Sequence, residues 1–163
     1  MKNEAEFNTI VTKSLDWGFK IPDTGNSVMY APKNRLPFDG FGAVNGKPVY
    51  FESKYLSTVR AFNFNRLEDH QIENLLKLKE LMPDALVLFL ICVDFGRGDK
   101  RVFFFRDMDY VNQRKMAKDS ITKKEFLARR NYVKIKKGLM DFNELMECPL
   151  DREHEKDLVR SLI

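Results

Sequence analysis

Three side chains flanking one predicted turn could bind a divalent cation next to a phosphodiester. Asp39 precedes the Asn45-Gly46 pair, and Glu52 and Lys54 follow it. Mg²⁺ prefers oxygen ligands, keeps several waters and is commonly bound by one or two carboxylates together with substrate phosphate. We therefore predict that Asp39 and Glu52 are metal ligands. Lys54 would orient or help to deprotonate a metal-bound water and stabilise charge on the attacked phosphorus.

The Asn45-Gly46 pair is the strongest short hairpin signal that a sequence offers. A two-residue turn there places Asp39 directly opposite Glu52 on the neighbouring strand. Counting outward from the turn makes this a non-hydrogen-bonded pair, with Cβ atoms roughly 4.5 to 5.5 Å apart. Lys54 projects from the same face as Glu52. The backbone carbonyl of Ser53, between them, could add a metal ligand.

Two readings of these residues stay open. Opposed carboxylates on a strand pair repel each other and destabilise the sheet, so a bound cation would explain why both are present. The alternative is an ordinary surface group in which Lys54 forms a weak ion pair with the two acids. A bulge at Gly40 or Gly42 would also shift the pairing by one residue.

Hydrophobic periodicity indicates the elements that would position these residues. A helix is expected over Asn3–Trp17, and Asp69 could cap a second helix from His70 to about Leu81. Beyond the hairpin, strands are predicted at Ala85–Val93, Arg101–Phe105 and Tyr132–Ile135, and a further helix is predicted near Thr122–Arg130. This order predicts an α/β fold with a mixed central β-sheet flanked by helices.

Length and composition suit one compact domain over residues 1–163. The chain has 163 residues with 44% hydrophobic content, which is enough for a sizeable core without disulfides or a structural metal. The longest apolar run, Ala85–Val93, is too short to cross a bilayer, and the first residues are charged rather than signal-like. We therefore expect no membrane partner and a cytoplasmic protein, bacterial or phage-encoded.

The charge is distributed unevenly along the chain. Residues 112–137 hold ten basic side chains and two acidic ones, a local charge of +8, whereas acids dominate residues 141–157, an expected helical tail. DNA would favour the first segment and be repelled by the second. The simpler explanation is that these lysines only solvate a helix surface. The predicted contacts to the DNA backbone are Lys123, Lys124, Arg129 and Arg130.

Short motifs connect these observations to known nucleases. Phe38-Asp39 together with Glu52-Ser53-Lys54 resembles the PD-(D/E)xK nuclease superfamily. More narrowly, Asp39-Gly40-Phe41, Phe51-Glu52-Ser53-Lys54 and His70-Gln71-Ile72-Glu73 are similar, in order and spacing, to motifs of the RecU-type Holliday junction resolvases. The similarity covers most of the chain and is much more specific than the Glu-x-Lys element alone.

The resemblance implies a restriction-endonuclease-like core and a homodimeric, Mg²⁺-dependent enzyme, with Mn²⁺ able to substitute. Such an enzyme nicks two strands of a four-way DNA junction symmetrically in recombination and repair. The superfamily's first-helix glutamate would map onto Glu6 as a further metal ligand, with Glu4 as the alternative. Gln71 would contact the scissile phosphate or a metal-bound water, or would simply cap its helix.

One departure from the family affects the expected substrate. RecU proteins carry a stalk between the first helix and the catalytic aspartate, whereas Gly18 to Phe38 leaves room here for only a short loop. Flaps, single strands or duplex DNA are therefore alternative substrates for the same chemistry. A DNA-binding module without cleavage activity is the alternative outside enzymes.

Overall fold

The computed structural model describes residues 1–22 and 37–148. The described helices are α1 (Glu4–Ser14), α2 (Asp69–Leu81), α3 (Met108–Met116), α4 (Lys123–Ala128) and α5 (Phe142–Glu147). The described strands are β1 (Trp17–Lys20), β2 (Gly40–Val44), β3 (Lys47–Leu56), β4 (Phe62–Asn63), β5 (Leu86–Asp94), β6 (Lys100–Phe105), β7 (Ser120–Ile121) and β8 (Tyr132–Lys134). Most of the stretch from Gly18 to Phe38, and the acidic tail beyond Cys148, lie outside the described residues.

A mixed sheet forms the centre of the described part of the chain. Its six strands have the order β1-β2-β3-β5-β6-β8, in which β3 and β5 are parallel and the other neighbours antiparallel. The predicted α/β fold with a mixed central sheet flanked by helices is therefore confirmed. Within the described ranges, no helix has the length and apolar character needed to span a bilayer.

The β5 strand separates two hydrophobic cores. Alternate side chains of this apolar run enter opposite cores, as the two-residue period of a strand requires. Val87, Phe89 and Ile91 pack in the core covered by α2, α3 and α4. Leu88 and Leu90 pack in the core covered by α1 and α5. Because both faces are covered, β5 is apolar from Leu86 to Val93 rather than alternating.

The predicted hairpin between β2 and β3 is confirmed. Asn45 and Gly46 have φ values of 49° and 74°, which are the positive angles of a two-residue type I′ turn. The register runs from Val44 opposite Lys47 to Gly40 opposite Phe51. This tight turn fixes which residues of β3 lie level with the start of β2, and therefore where the candidate site forms.

The first helix is shorter than predicted. It ends at Ser14, and Trp17 and Gly18 instead begin the edge strand β1, which pairs with β2. The backbone groups of these residues are paired with β2, in place of the hydrogen bonds that a longer helix would have provided. The second helix also begins one residue early, so that Glu68 rather than Asp69 is its N-cap.

Candidate active site

Glu52, Lys54 and Gln71 form a buried hydrogen-bonded group where α2 meets the sheet. Glu52 and Lys54 are two residues apart on β3, so their side chains share a face, and Lys54 Nζ lies 2.7 Å from Glu52 Oε1. Gln71 Nε2 donates to the same oxygen at 2.5 Å. The exposed fractions of Glu52 and Lys54 are 1% and 7%, so this ion pair is not an ordinary surface contact.

Asp39 reaches the site in a way that the sequence did not predict. The expected pairing of Asp39 directly opposite Glu52 is wrong, because the regular ladder ends at Gly40 opposite Phe51. The Asp39 N–H also donates to the Phe51 carbonyl, at 3.0 Å, so that two residues face one, as at a bulge. The Asp39 carboxylate instead accepts hydrogen bonds from the Ser53 N–H at 2.8 Å and the Ser53 hydroxyl at 3.0 Å.

Glycine at position 40 allows this close approach. A Cβ atom added to Gly40 would lie 2.5 Å from the Phe51 ring and 2.9 Å from the Phe19 carbonyl. A larger residue would therefore require the Phe51 ring and the β1 backbone to shift, next to the point where Asp39 turns toward Ser53.

The Ser53 backbone also faces the Asp39 side of β3. The N–H and C=O of one strand residue point to the same side of the strand, and Asp39 holds the Ser53 N–H. The Ser53 carbonyl consequently points toward the edge that β2 leaves open beyond Phe51. At the same edge the Tyr55 carbonyl lies 3.5 Å from Arg66 Nη2. The carboxylates of Asp39 and Glu52 and the carbonyl of Ser53 therefore all lie around the middle of β3.

Burial and a second acid both disfavour the ionised form of Glu52. Burial, and then the nearby Asp39 carboxylate, raise the pKa of Glu52 from its ordinary 4.5 to about 8, although Lys54 acts in the opposite direction. Its second oxygen, Oε2, is buried without a hydrogen-bond partner among residues 1–22 and 37–148. A buried carboxylate oxygen without a partner costs free energy. The residues therefore fit a divalent cation, which would neutralise both acids and provide a partner for Oε2.

Lys54 stays an ammonium ion in this setting. Burial by itself would lower the pKa of Lys54, but the carboxylates of Glu52, Glu4 and Asp39 more than offset it, so the pKa is raised. A lysine of this kind donates hydrogen bonds and positive charge rather than accepting a proton. Within residues 1–22 and 37–148, no three His, Cys, Asp or Glu side chains form a metal cage, so any metal would also need backbone, water or substrate oxygens.

The raised pKa of Glu52 gives a testable dependence of stability on pH. Between pH 4.5 and about 8 the folded protein keeps a proton on Glu52 that the unfolded chain releases. The free energy of unfolding in EDTA should therefore fall as pH rises through this window, by at most about 1.4 kcal/mol per pH unit from this group. In Glu52→Gln this contribution should vanish, which urea unfolding at pH 5.5, 6.5, 7.5 and 8.5 would show. An unchanged pH slope in the variant would contradict the assignment.

The structure distinguishes the two glutamates of the first helix. Glu4 Oε1 lies 3.5 Å from Lys54 Nζ, and Glu4 therefore borders the site. Glu6 instead accepts a hydrogen bond from the Lys2 N–H at 2.7 Å and lies 3.5 Å from the terminal amine. Residues two apart on a helix point in widely different directions, so only one of them can face β3. The structure thus places Glu4, and not Glu6, next to Lys54.

Asn8 is a site residue that the sequence reasoning missed. It is buried on α1, and its side-chain amide is a hydrogen-bond partner of the Ser53 hydroxyl. The signal was a polar residue between Phe7 and Val11, on the helix face that packs against the sheet. Asn8 also lies four residues from Glu4, which places both side chains on one side of α1.

The basic residues divide into surface and core positions. Lys123, Lys124 and Arg130 are exposed, as expected for contacts to DNA phosphates. The prediction for Arg129 needs correction, because its exposed fraction is only 3%. Arg129 donates to the Tyr110 hydroxyl at 3.1 Å, and its guanidinium lies 5.3 Å from the centre of the Phe105 ring. It therefore belongs to the packing between the sheet and the helices.

A comparison with known protein families identifies the relationship suggested by these residues. Residues 25–147 match RecU, described as recombination protein U. The chain belongs to the RecU family. The resemblance to RecU-type Holliday junction resolvases is thereby confirmed, and the match includes Asp39, Glu52, Lys54 and Gln71. Helix α1, with Glu4 and Asn8, precedes the matched residues of this RecU-family chain. A comparison with curated proteins gives no match.

Proposed function

We propose that this RecU-family protein is a Mg²⁺-dependent endonuclease that resolves four-way DNA junctions by paired nicking in recombination and repair. The proposal rests on the buried Oε2 of Glu52, which has no hydrogen-bond partner in the described part of the chain and lies near the Asp39 carboxylate. A structural ion pair would have no need for a second carboxylate at this position. The family relationship supplies the substrate class, and the site supplies the chemistry.

Asp39, Glu52 and the Ser53 carbonyl would hold the metal, which PD-(D/E)xK nucleases bind at the corresponding motif. When bound, Mg²⁺, or Mn²⁺ in its place, would acidify a coordinated water and stabilise charge on the phosphate. The Ser53 N–H and hydroxyl fix the direction of the Asp39 carboxylate. Glu6 is not one of the proposed metal ligands, because its carboxylate contacts the first residues of the chain.

Lys54 and Gln71 have different roles beside the ligands. The Lys54 ammonium would stabilise the negative charge that develops on the attacked phosphate, and its raised pKa argues against a role as general base. Gln71 donates to Glu52 through Nε2 while its Oε1 accepts from the Glu68 N–H at 2.9 Å. Gln71 is therefore tied to the start of α2 and acts as a positioning residue for the Glu52 carboxylate.

DNA binding would depend on exposed cations rather than on Arg129. Lys123→Gln and Lys124→Gln should each weaken junction binding in Ca²⁺ to a similar extent on junctions of any sequence. Each should reduce the slope of log affinity against log salt by about one. Arg129→Met should instead lower the free energy of unfolding by roughly 1 to 3 kcal/mol, because it removes a buried, charge-assisted hydrogen bond to the Tyr110 hydroxyl, which keeps its bond from Arg114.

The measurements for this prediction are fluorescence anisotropy with labelled junctions at several salt concentrations, and urea unfolding. Lys77→Gln is the matched control, because Lys77 is exposed and lines a groove between α2 and α3 that contains none of the site residues. An equal loss of affinity in Lys77→Gln would show that the effect reflects total charge alone. A normally stable Arg129→Met protein with impaired DNA binding would restore Arg129 as a DNA contact.

The homodimer is part of the proposal because paired nicking requires two active sites. Two copies related by a two-fold axis would present one site to each of two strands of a four-way junction. Light scattering should give twice the chain mass of 19.2 kDa. A monomer both alone and on junction DNA would contradict the paired mechanism.

A comparison of substrates and metals tests the proposed function. Four-way junctions, flaps, single strands and linear duplexes are incubated at one salt concentration with Mg²⁺, Mn²⁺, Ca²⁺ or EDTA. We expect symmetric nicks in the junction with Mg²⁺ or Mn²⁺ and none with EDTA. Equal rates on all substrates would reject the junction specificity while keeping the nuclease chemistry. Strong junction binding without cleavage under any condition would identify a DNA-binding module instead.

A further inference from the structure

Glu4 lies between two cations at the mouth of the candidate site. Its Oε1 is 3.5 Å from Lys54 Nζ, and its Oε2 is 4.0 Å from Arg66 Nη2. Lys54 is buried, whereas the side chains of Glu4 and Arg66 are each 39% exposed. One carboxylate therefore connects the catalytic lysine to an arginine that opens to solvent.

The contacts of Arg66 leave its guanidinium able to bind another anion. It lies 5.3 Å from the centre of the Phe62 ring and 3.5 Å from the Tyr55 carbonyl, contacts that orient the side chain but do not neutralise its charge. The ion pair to Glu4 is long, at 4.0 Å, and exposed pairs of this kind are weak. A planar guanidinium with several N–H donors suits phosphate oxygens.

We propose that Lys54 and Arg66 form a subsite for a DNA backbone phosphate, and that the Glu4 carboxylate occupies this subsite in the absence of DNA. The inference rests on the proposed nuclease function. A phosphodiester carries one negative charge and two unbridged oxygens, and could therefore replace the two oxygens of Glu4 between the same cations. Substrate entry would require Glu4 to turn outward.

The position of Glu4 makes such a movement easy. It is the first residue of α1, with a half-exposed side chain, so a rotation about its own side-chain bonds would release both cations. Its carboxylate contacts two positive groups that could equally bind the unbridged oxygens of a phosphate. These contacts are those expected of a stand-in for phosphate.

Binding measurements with charge-neutralising variants test this subsite. Junction affinity is measured by fluorescence anisotropy in Ca²⁺, where binding does not depend on turnover. Glu4→Gln should bind about three- to tenfold more tightly, because it removes a competing negative charge close to the phosphate. Arg66→Gln should bind about tenfold more weakly with a salt slope reduced by about one, and Arg66→Lys should lie between Arg66→Gln and the wild type.

Glu6→Gln is the matched control, since it removes the same charge from the same helix at a residue whose carboxylate is held by the N-terminus. It should change affinity by less than about twofold, because its charge lies away from the subsite. Thermal unfolding shows whether each variant retains the fold. If Arg66→Gln is unfolded, the junction affinity of Arg66→Lys tests the role of Arg66 instead. Tighter binding in both Glu4→Gln and Glu6→Gln would reduce the effect to net charge and overturn the subsite.

Two further outcomes separate this inference from the proposed function. Glu4→Gln that binds as the wild type does but no longer cleaves with Mg²⁺ would make Glu4 a metal ligand and overturn the inference. A wild-type protein that cleaves no DNA would reject the proposed nuclease, while the binding results would still decide whether the subsite exists. Weaker junction binding by Glu4→Gln would contradict the subsite in either case.

Discussion

Replacing Asp39 with asparagine should lower the rate of junction cleavage in Mg²⁺ by about a thousandfold or more. Metal-ion stabilisation of a phosphoryl transition state is worth several kcal/mol, and an amide is a poor substitute for a carboxylate ligand. The amide oxygen of the Asp39→Asn variant can still accept from the Ser53 N–H, so the local fold should persist. Single-turnover cleavage of a labelled four-way junction measures the rate. Junction binding in Ca²⁺ should remain largely intact.

Asp16→Asn is a fitting control for this experiment. The Asp16 carboxylate also accepts a backbone hydrogen bond, from the Asn45 N–H at 2.7 Å, but at the turn of the hairpin. The substitution removes one negative charge next to the same strand pair, and the variant should cleave at the wild-type rate. A fully active Asp39→Asn protein would refute the role assigned to Asp39.

Replacing Lys54 with methionine should lower the cleavage rate by roughly a hundred- to a thousandfold and should also destabilise the protein. Removing one positioned donor to a developing negative charge has consequences of this size. Methionine keeps most of the buried volume, but Glu52 loses its closest cation. Breaking a buried ion pair on one side costs roughly 3 to 5 kcal/mol. The destabilisation in EDTA should be largest above pH 8, where Glu52 must ionise.

Lys100→Met is the control that shows whether losing an ion pair elsewhere on the sheet would also slow cleavage and lower stability. Lys100 Nζ lies 2.9 Å from the Asp94 carboxylate on the neighbouring strand, and both side chains are about one-fifth exposed. This pair should contribute at most about 1 kcal/mol, and its loss should leave cleavage unchanged. Single-turnover rates and urea unfolding at pH 6 and pH 9 give both quantities. A Lys54→Met protein that cleaves at the wild-type rate would show that Lys54 has no role in catalysis.

The sequence predicted those features of the fold that depend on local chemistry. Asn45-Gly46 specifies its turn because both residues tolerate positive φ, and the register of the hairpin follows from the turn alone. The long apolar run Ala85–Val93 predicted the strand β5. The early end of α1 could not be predicted, because pairing of Trp17 with β2 depends on a tertiary contact. Helix α3 was not predicted either.

The sequence predicted which residues form the site better than it predicted how they are arranged. Glu52 and Lys54 are two residues apart on one strand, so their shared face follows from the strand period. Asp39 lies just beyond the regular ladder, where its N–H bonds to Phe51 and its carboxylate to Ser53, and no sequence period encodes this arrangement. The choice between Glu4 and Glu6 depends on how α1 is rotated against the sheet.

The misassigned arginine shows the limit of charge counting. Arg129 lies in the most basic part of the chain, yet its guanidinium is packed over the Phe105 ring and bonded to Tyr110. A run of basic residues reports its total charge but not which members face solvent. Burial of an arginine requires aromatic and hydroxyl partners from distant elements, and these are known only once the fold is known.

Anomalous diffraction can locate Mn²⁺ bound to the proposed ligands. Anomalous diffraction from crystals of the wild-type protein grown with Mn²⁺ should show a peak bound by Asp39, Glu52 and the Ser53 carbonyl at about 2 to 2.5 Å. In crystals of Asp39→Asn the peak should be lost or strongly reduced. A well-occupied peak elsewhere on the protein, with Asp39 and Glu52 bound to no metal, would contradict the account.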